Sequence, residues 1–180
     1  MHTHLPRLEP VYYRGFAMVH WVMTVDERAT GWLDERFHLR WREAMLHTMA
    51  RHEIFCPAYC VMPDHAHVMW MGGTTESDQR NAMKFFRTNT TPLLTPQSWQ
   101  RQGYDHVLRE SEKKAGAFTT ICNYVFENPV RKRLSARWQD YPFLGTMVPG
   151  YPTLDPRKDD FWEKFWRIYN GRVEPPSVEK

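Results

Sequence analysis

The stretch "YCVMPDHAHVMW", residues 59–70, places two histidines within an otherwise apolar run. The Pro63-Asp64 dipeptide in its middle is typical of a tight turn. The apolar segments on either side, residues 55–62 and 65–71, have the length and composition of buried strands. The stretch therefore predicts a β-hairpin at the centre of the fold.

The second strand of this hairpin orients its two histidines. Side chains at positions i and i+2 of a strand project from the same face, so His65, His67 and Met69 are predicted to share one face. The intervening apolar side chains then point to the other face, toward the predicted helices. Two imidazoles placed in this way can bind one divalent metal ion. The strand alone also allows a plainer arrangement, two half-exposed histidines on an open sheet face.

Further strands and helices flank the hairpin. The order strand–helix–strand–strand–helix–strand–helix predicts an α+β sandwich, one antiparallel sheet with helices on one face. Asp34 is predicted to cap the first helix and Ser77 or Thr75 the second, while Pro129 is expected to stop the third. The other predicted elements are a strand at 16–25, helices at 35–52 and 78–89, a strand at 104–110, helices at 112–128 and 159–170, and loops at 88–103 and 130–158.

Composition predicts one soluble globular domain with an extension at each end. The chain has 180 residues, of which 42% are hydrophobic and 25% are charged. The predicted parts are an N-terminal arm at 1–14, a central domain at 15–143, and a C-terminal extension at 144–180 that ends in an amphipathic helix and a short flexible tail. Three cysteines and the lack of any ~18-residue apolar run or leader favour the cytoplasm. The net charge of +3 agrees with an anionic partner without requiring one.

Two cysteines before the histidines raise the alternative of a structural zinc site. On an extended strand Cys56 and Cys60 would lie ~13 Å apart, too far for tetrahedral zinc with Zn–S bonds of ~2.3 Å. Only a helical turn would bring them together, and Pro57 argues against one. The spacing therefore disfavours zinc.

A tyrosine in the third helix is the second candidate functional feature. In "ICNYVFENPVRKR", residues 121–133, Tyr124 and Asn128 stand four positions apart and share a helix face. The basic residues Arg131, Lys132 and Arg133 follow, so a hydroxyl, an amide and cationic groups are close in sequence. This combination is suited to chemistry on a phosphate.

Taken together, the two segments resemble a known family. "AYCVMPDHAHVMW" and "NYVFENPVRKRL" resemble the REP-associated tyrosine transposases, which are single-strand transposases of the HUH endonuclease class. The likeness extends from "GFAMVHWVMTV" to "YPF" at 141–143. It implies a ferredoxin-like α+β sandwich (the RRM-like topology), with 15–143 as the catalytic domain. It also implies the cutting and rejoining of single-stranded DNA beside palindromic hairpins.

The resemblance implies a role for each matching residue. His65 and His67 match the metal-binding histidines, and Tyr124 matches the nucleophile that forms a 5′-phosphotyrosine. Asn128 matches the third metal ligand, although Glu127 beside it is an alternative. The implied cofactor is a divalent metal, Mg²⁺ or Mn²⁺, with manganese better suited to nitrogen ligands.

The expected partner is single-stranded DNA that carries a hairpin, and a monomer is favoured over a homodimer. Two other functions stay open at this point: a non-catalytic single-strand binding module, and a metal-dependent phosphoesterase without a covalent step. The C-terminal extension favours a single-copy housekeeping relative over a mobile transposase. The residues predicted to contact the DNA backbone are Lys84, Arg87, Arg109, Arg131, Lys132 and Arg133.

Overall fold

The computed structural model describes residues 7–173. Its sheet has five strands in the order β4-β1-β3-β2-β5, and every neighbouring pair is antiparallel. Residues 1–6 of the arm predicted at 1–14, and residues 174–180, where the predicted C-terminal tail falls, lie outside the described residues. The strands are β1 Met18–Thr24, β2 Ile54–Val61, β3 His65–Gly72, β4 Tyr104–Val107 and β5 Leu144–Met147, and the α-helices are α1 Glu35–His52, α2 Gln79–Thr90, α3 Glu110–Lys114, α4 Ala117–Arg131 and α5 Phe161–Val173.

The topology of the first six elements is the predicted one. The order β1-α1-β2-β3-α2-β4, with the strands arranged 4-1-3-2, is the ferredoxin-like arrangement, and the α+β class is confirmed. The β2–β3 hairpin also forms as expected, with the amide N–H of Met62 donating to the carbonyl of His65 at 2.7 Å. As a result β3 lies at the centre of the sheet, and all eight of its residues are buried.

Helices α1 and α2 cover one face of the sheet. The apolar residues that recur every four positions in α1, from Phe37 to Met49, are all buried. Trp41 of α1 and Trp70 of β3 both pack edge-on against Phe86 of α2, at ring-centroid distances of 5.3 and 5.9 Å. The intervening residues of β3 therefore point toward these helices, as the alternation predicts.

Helices α4 and α5 cover the second face of the sheet as well. The sequence led to the expectation that this face would be open, and it is not. Cys122 and Val125 of α4 and Phe165 of α5 belong to a second apolar cluster with Met69 and neighbouring strand residues. The hydroxyl of Tyr169 in α5 donates to the carbonyl of Gly72 at 2.9 Å. This packing brings the helix that carries Tyr124 onto the same face of the sheet as the two histidines.

The third predicted helix differs from its prediction at both ends. It is divided at Gly116, whose φ of +79° is left-handed and separates α3 from α4. Pro129 does not stop α4, which continues to Arg131. Proline lacks the backbone N–H that would donate a hydrogen bond in this last turn, but its ring is buried. The helix ends just before Arg133, whose φ of +58° is left-handed.

Two smaller details also differ from the sequence predictions. The cap of α2 is Asp78, whose carboxylate accepts from the N–H groups of Arg80 and Asn81 at 3.0 Å, rather than Ser77 or Thr75. A carboxylate at this position satisfies two free helix donors. Strand β5 was missed, because four residues are too few to establish a periodicity. It pairs with β2 and so joins the start of the predicted C-terminal extension to the main sheet.

Part of the predicted N-terminal arm is attached to the domain. Tyr13 is fully buried, its hydroxyl is hydrogen-bonded to Asp105, and Arg7 pairs with the same carboxylate at 3.1 Å. These contacts hold residues 7–14 against β4. They also bring the chain to Gly15, where it passes close to the end of β3.

That close approach gives a prediction on stability. A methyl group on Gly72 would lie 1.7 Å from the carbonyl oxygen of Gly15, so the backbone must shift, and Gly72→Ala is expected to lower the free energy of unfolding by ~1–3 kcal/mol. Gly171 in α5 has nothing within 4 Å of the same added atom. Gly171→Ala is the matched control and should raise stability by up to ~1 kcal/mol. Equal effects in urea denaturation would contradict this interpretation.

Candidate functional site

The imidazoles of His65 and His67 meet on the sheet face covered by α4. Their Nε2 atoms are 3.0 Å apart, and the two residues are only 9% and 5% exposed. The half-exposed alternative is therefore excluded. The separation matches the ~3.0 Å expected between adjacent ligand atoms that each lie ~2.1 Å from one octahedral cation.

Neighbouring groups hold His65 in place. The carboxylate of Asp64 accepts from its Nδ1–H at 2.6 Å, and Arg28 donates to the other oxygen of that carboxylate at 2.8 Å. Although burial raises the pKa of Asp64, the hydrogen bonds from His65 and Arg28 hold that pKa below its usual value. A carboxylate behind an imidazole is the usual partner of a metal-ligating histidine. The turn that makes the hairpin therefore also orients the first candidate ligand.

A third histidine, His20 of β1, extends this group. Its Nε2 lies 3.1 Å from the Nδ1 of His67. His20 pairs in register with Met69 and His67 with Val22, so the two histidines are diagonal neighbours across the β1–β3 pair. Sequence reasoning missed His20. The available signal was that His20 alternates with Val19 and Trp21, which places it on the opposite face of the strand. The register of β1 against β3, which brings His20 next to His67, could not be read from the sequence.

The burial of His67 and His20 favours the neutral form of these two imidazoles. Desolvation, followed by the nearby charges of His20 and His65, lowers the pKa of His67 to about 2. Desolvation and the neighbouring His106 lower the pKa of His20 to about 4. A neutral imidazole with a free lone pair is the form that binds a metal ion.

Tyr124 lies over this group of histidines. Its ring packs edge-on at 5.6 Å from the ring centroid of His67 and at 6.2 Å from that of His20. The guanidinium of Arg131 lies 4.9 Å from the centroid of the Tyr124 ring. The tyrosine is 38% exposed, so a substrate can reach it, whereas the histidines beneath it are buried.

Asn128 occupies the next turn of α4 and is buried. Its amide nitrogen donates to the carbonyl oxygen of Tyr124 at 2.9 Å, which leaves its Oδ1 as the atom available to a ligand. Glu127, the alternative third ligand, is half-buried. Neither assignment is tested by these contacts.

The donor set fits a divalent cation, provided that an amide or a substrate oxygen completes it. Within residues 7–173, no group of three or more His, Cys, Asp and Glu side chains is placed to hold a metal. The zinc alternative finds no support, because β2 is extended and the Sγ of Cys56 is directed to the carbonyl of Ala58 at 3.4 Å. Two imidazoles and an amide oxygen suit Mg²⁺ or Mn²⁺ rather than a tetrahedral zinc.

The predicted DNA-contacting residues fall in different places. Arg131, Lys132 and Arg133 are exposed at the end of α4, near Tyr124. Arg109 is exposed at the N-cap of α3. Lys84 and Arg87 lie on α2, which covers the opposite face of the sheet, and the guanidinium of Arg87 donates to the carbonyl of Gln100. Contact between DNA and any of these six residues stays a prediction.

The low pKa values predict how stability depends on pH. His20, His67 and also His38, whose pKa burial lowers to about 4, have pKa values below the ~6.5 of an unfolded chain. Above pH 6.5 both states are neutral at these sites. Below it the unfolded chain takes up protons that the folded chain excludes. The free energy of unfolding should therefore fall between pH 6.5 and about 4, by up to ~1.4 kcal/mol per pH unit for each histidine.

Urea denaturation at pH 7, 6 and 5 measures this slope. His38 lies on α1, which covers the face of the sheet opposite to Tyr124. His38→Gln should therefore remove the contribution of one proton from this slope. A free energy of unfolding that stays constant down to pH 5 would show that the folded protein protonates these imidazoles.

Comparisons with known proteins agree with this geometry at the level of the fold. No protein-family model matches the chain, and no curated protein matches its sequence. Its fold is that of a REP-associated tyrosine transposase solved bound to a REP hairpin, with a TM-score of 0.65 and 19% identity over 79% of this chain and 81% of that one. A protein described as a transposase from Deinococcus radiodurans R1 is similar at a TM-score of 0.42 and 15% identity, over 66% of this chain and 97% of that one.

The helices are those of a chain without a recognisable membrane-spanning helix among its described residues. Across the described part of the chain, none is both long enough and apolar enough to cross a bilayer.

Proposed function

We propose that this protein is a metal-dependent single-stranded DNA endonuclease and strand transferase that acts beside hairpins. The observation that carries the proposal is the placement of Tyr124 against the paired imidazoles of His65 and His67. These are the residues that the resemblance to REP-associated tyrosine transposases assigns to nucleophile and metal binding. The shared fold of the hairpin-bound transposase supports it further.

Tyr124 is the proposed nucleophile. Its phenolic oxygen attacks the phosphorus, the bond from phosphorus to O3′ breaks, the phenol gives up its proton and the departing O3′ gains one. The products are a 5′-phosphotyrosine and a free 3′-hydroxyl. Because the phosphotyrosine ester conserves the energy of the broken phosphodiester bond, the 3′-hydroxyl of the same or another strand can reverse the step, releasing the phenol.

His65, His67 and the amide oxygen of Asn128 are the proposed ligands of Mg²⁺ or Mn²⁺, with Glu127 as the alternative to Asn128. When bound, such a cation would polarise a non-bridging oxygen of the scissile phosphate. Asp64 keeps the lone pair of His65 on its Nε2, toward the site, because Nδ1 carries the proton. The guanidinium of Arg131, near the Tyr124 ring, favours negative charge on the phenol oxygen as the proton leaves.

The proposed nucleophile and the two histidines come from one chain. Tyr124 packs against His67 of its own chain, so a second copy is not needed to supply the nucleophile. This agrees with the proposal that a monomer performs the cleavage. Single-stranded substrate is proposed because the phosphate must reach a tyrosine that lies over a buried group of histidines.

Formation of a covalent adduct tests the function. The probe is a pool of single-stranded oligonucleotides in which a stable hairpin is flanked on both sides by randomised sequence, incubated with the protein and Mn²⁺. Denaturing electrophoresis should show a shifted band that retains a 3′-end label and loses a 5′-end label. Hairpin binding without any adduct would favour the non-catalytic module, and cleavage without an adduct would favour a simple phosphoesterase.

A further inference from the structure

We infer that His20 is a positioning residue that holds His67 in the tautomer needed for metal binding. The inference rests on the proposed metal site. It assigns a role to a residue on β1 to which the resemblance assigned none. The contact is close and buried: the two rings are nearly parallel at 13°, the Nε2 to Nδ1 distance is 3.1 Å, and His20 is 7% exposed.

The position of the proton on His65 is fixed by its neighbour. Its Nδ1–H donates to Asp64, so a neutral His65 has its lone pair on Nε2. The Nε2 of His67 faces that lone pair at 3.0 Å. If both contacts are hydrogen bonds, that lone pair requires His67 to donate from Nε2 to His65 and to accept at Nδ1 from the Nε2–H of His20.

Binding one cation to the Nε2 atoms of both His65 and His67 requires the other tautomer of His67. His67 must then have a lone pair on Nε2 and its proton on Nδ1. The atom placed to accept that Nδ1–H is the Nε2 of His20, which must itself be unprotonated with the proton on its Nδ1. His65 is supported by a carboxylate and His67 by an imidazole, so the supports of the two candidate ligands differ.

The acceptor role can be separated from simple packing by two substitutions. His20→Phe keeps an aromatic ring beside His67 but removes the acceptor, whereas His20→Gln places an amide oxygen near the position of Nε2. Loss of a supporting hydrogen bond typically weakens metal binding by ~10–100-fold. His20→Phe is therefore expected to weaken Mn²⁺ binding by that factor, and His20→Gln to restore it to within about threefold.

Electron paramagnetic resonance of free Mn²⁺, titrated with the full-length protein, measures this affinity without relying on DNA cleavage. His106→Phe is the matched control. His106 lies on β4, where it pairs in register with His20 of β1, and its ring is hydrogen-bonded to Glu112 at 2.8 Å. It should bind Mn²⁺ like the unsubstituted protein. If packing were all that mattered, Phe would be tolerated better than Gln at this buried position, and that order would overturn the inference.

His65→Ala separates failure of this inference from failure of the proposed function. If His65→Ala leaves Mn²⁺ binding unchanged, the metal site itself is wrong. If His65→Ala weakens binding and His20→Phe does not, only the role of His20 is wrong.

Nitrogen-15 NMR of the histidines in the unsubstituted protein provides a test that needs no variant. With Mg²⁺ bound, His67 should be protonated on Nδ1 and His20 unprotonated on Nε2. A His20 that keeps its proton on Nε2 in the Mg²⁺-bound protein would overturn the inference.

Discussion

Tyr124→Phe is expected to abolish the covalent protein–DNA adduct while leaving hairpin binding nearly intact. The substitution removes one oxygen atom, and the remaining ring can keep its edge-on contact with His67 and its position beneath Arg131. No other step can replace the missing bond to phosphorus, so adduct formation should fall below detection. Binding loses at most one hydrogen bond, worth ~0.5–1.5 kcal/mol, which is less than about 13-fold in Kd.

The matched control for this variant is Tyr151→Phe. Tyr151 is 41% exposed, close to the 38% of Tyr124, and lies in the C-terminal part of the chain. It should form the adduct at the normal rate. Adducts that persist in Tyr124→Phe would refute the assignment of the nucleophile, whatever the result for the control.

Loss of either candidate metal ligand is the second large effect expected. His65→Ala and His67→Ala each remove one of the two nitrogens that lie 3.0 Å apart. If metal-assisted charge withdrawal contributes ~4 kcal/mol, the rate of adduct formation should fall by ~10³-fold. Treatment of the unsubstituted protein with a chelator should have the same effect, and Mn²⁺ should reverse it.

His47→Ala is the control for the ligand variants. His47 is an exposed histidine on α1, which covers the opposite face of the sheet, so its loss should leave the rate unchanged. Because His67 is buried, circular dichroism must first confirm that its variant is folded. Cleavage that continues at the full rate in the presence of a chelator would contradict metal dependence, independently of any substitution.

The parts of the fold that follow from local pattern could be predicted from the sequence. The period of two in β3 correctly separates His65 and His67 from Ala66 and Val68, and the four-residue apolar spacing defines α1. Both depend on residues close together in the chain. The same is true of Asp34, whose carboxylate accepts from the N–H of Phe37 at 2.6 Å as an N-cap should.

Features that depend on contacts distant in sequence could not be predicted. The meeting of His20 and His67 requires the register between β1 and β3, which the periodicity of either strand alone does not define. Asp64 was identified only as a turn residue, because its hydrogen bond to His65 depends on the conformation of the turn. The packing of α4 against β2 and β3 is likewise tertiary, although it is this contact that brings Tyr124 to the histidines.

In the proposed reaction the phenol oxygen of Tyr124 becomes bonded to a DNA phosphate. Mass spectrometry of the adduct, after digestion with a protease and a nuclease, measures this directly. The expected result is a nucleotide joined through its 5′-phosphate to the peptide that contains Tyr124, formed only in the presence of a divalent cation. A nucleotide attached to any other residue, or joined through a 3′-phosphate, would contradict the account.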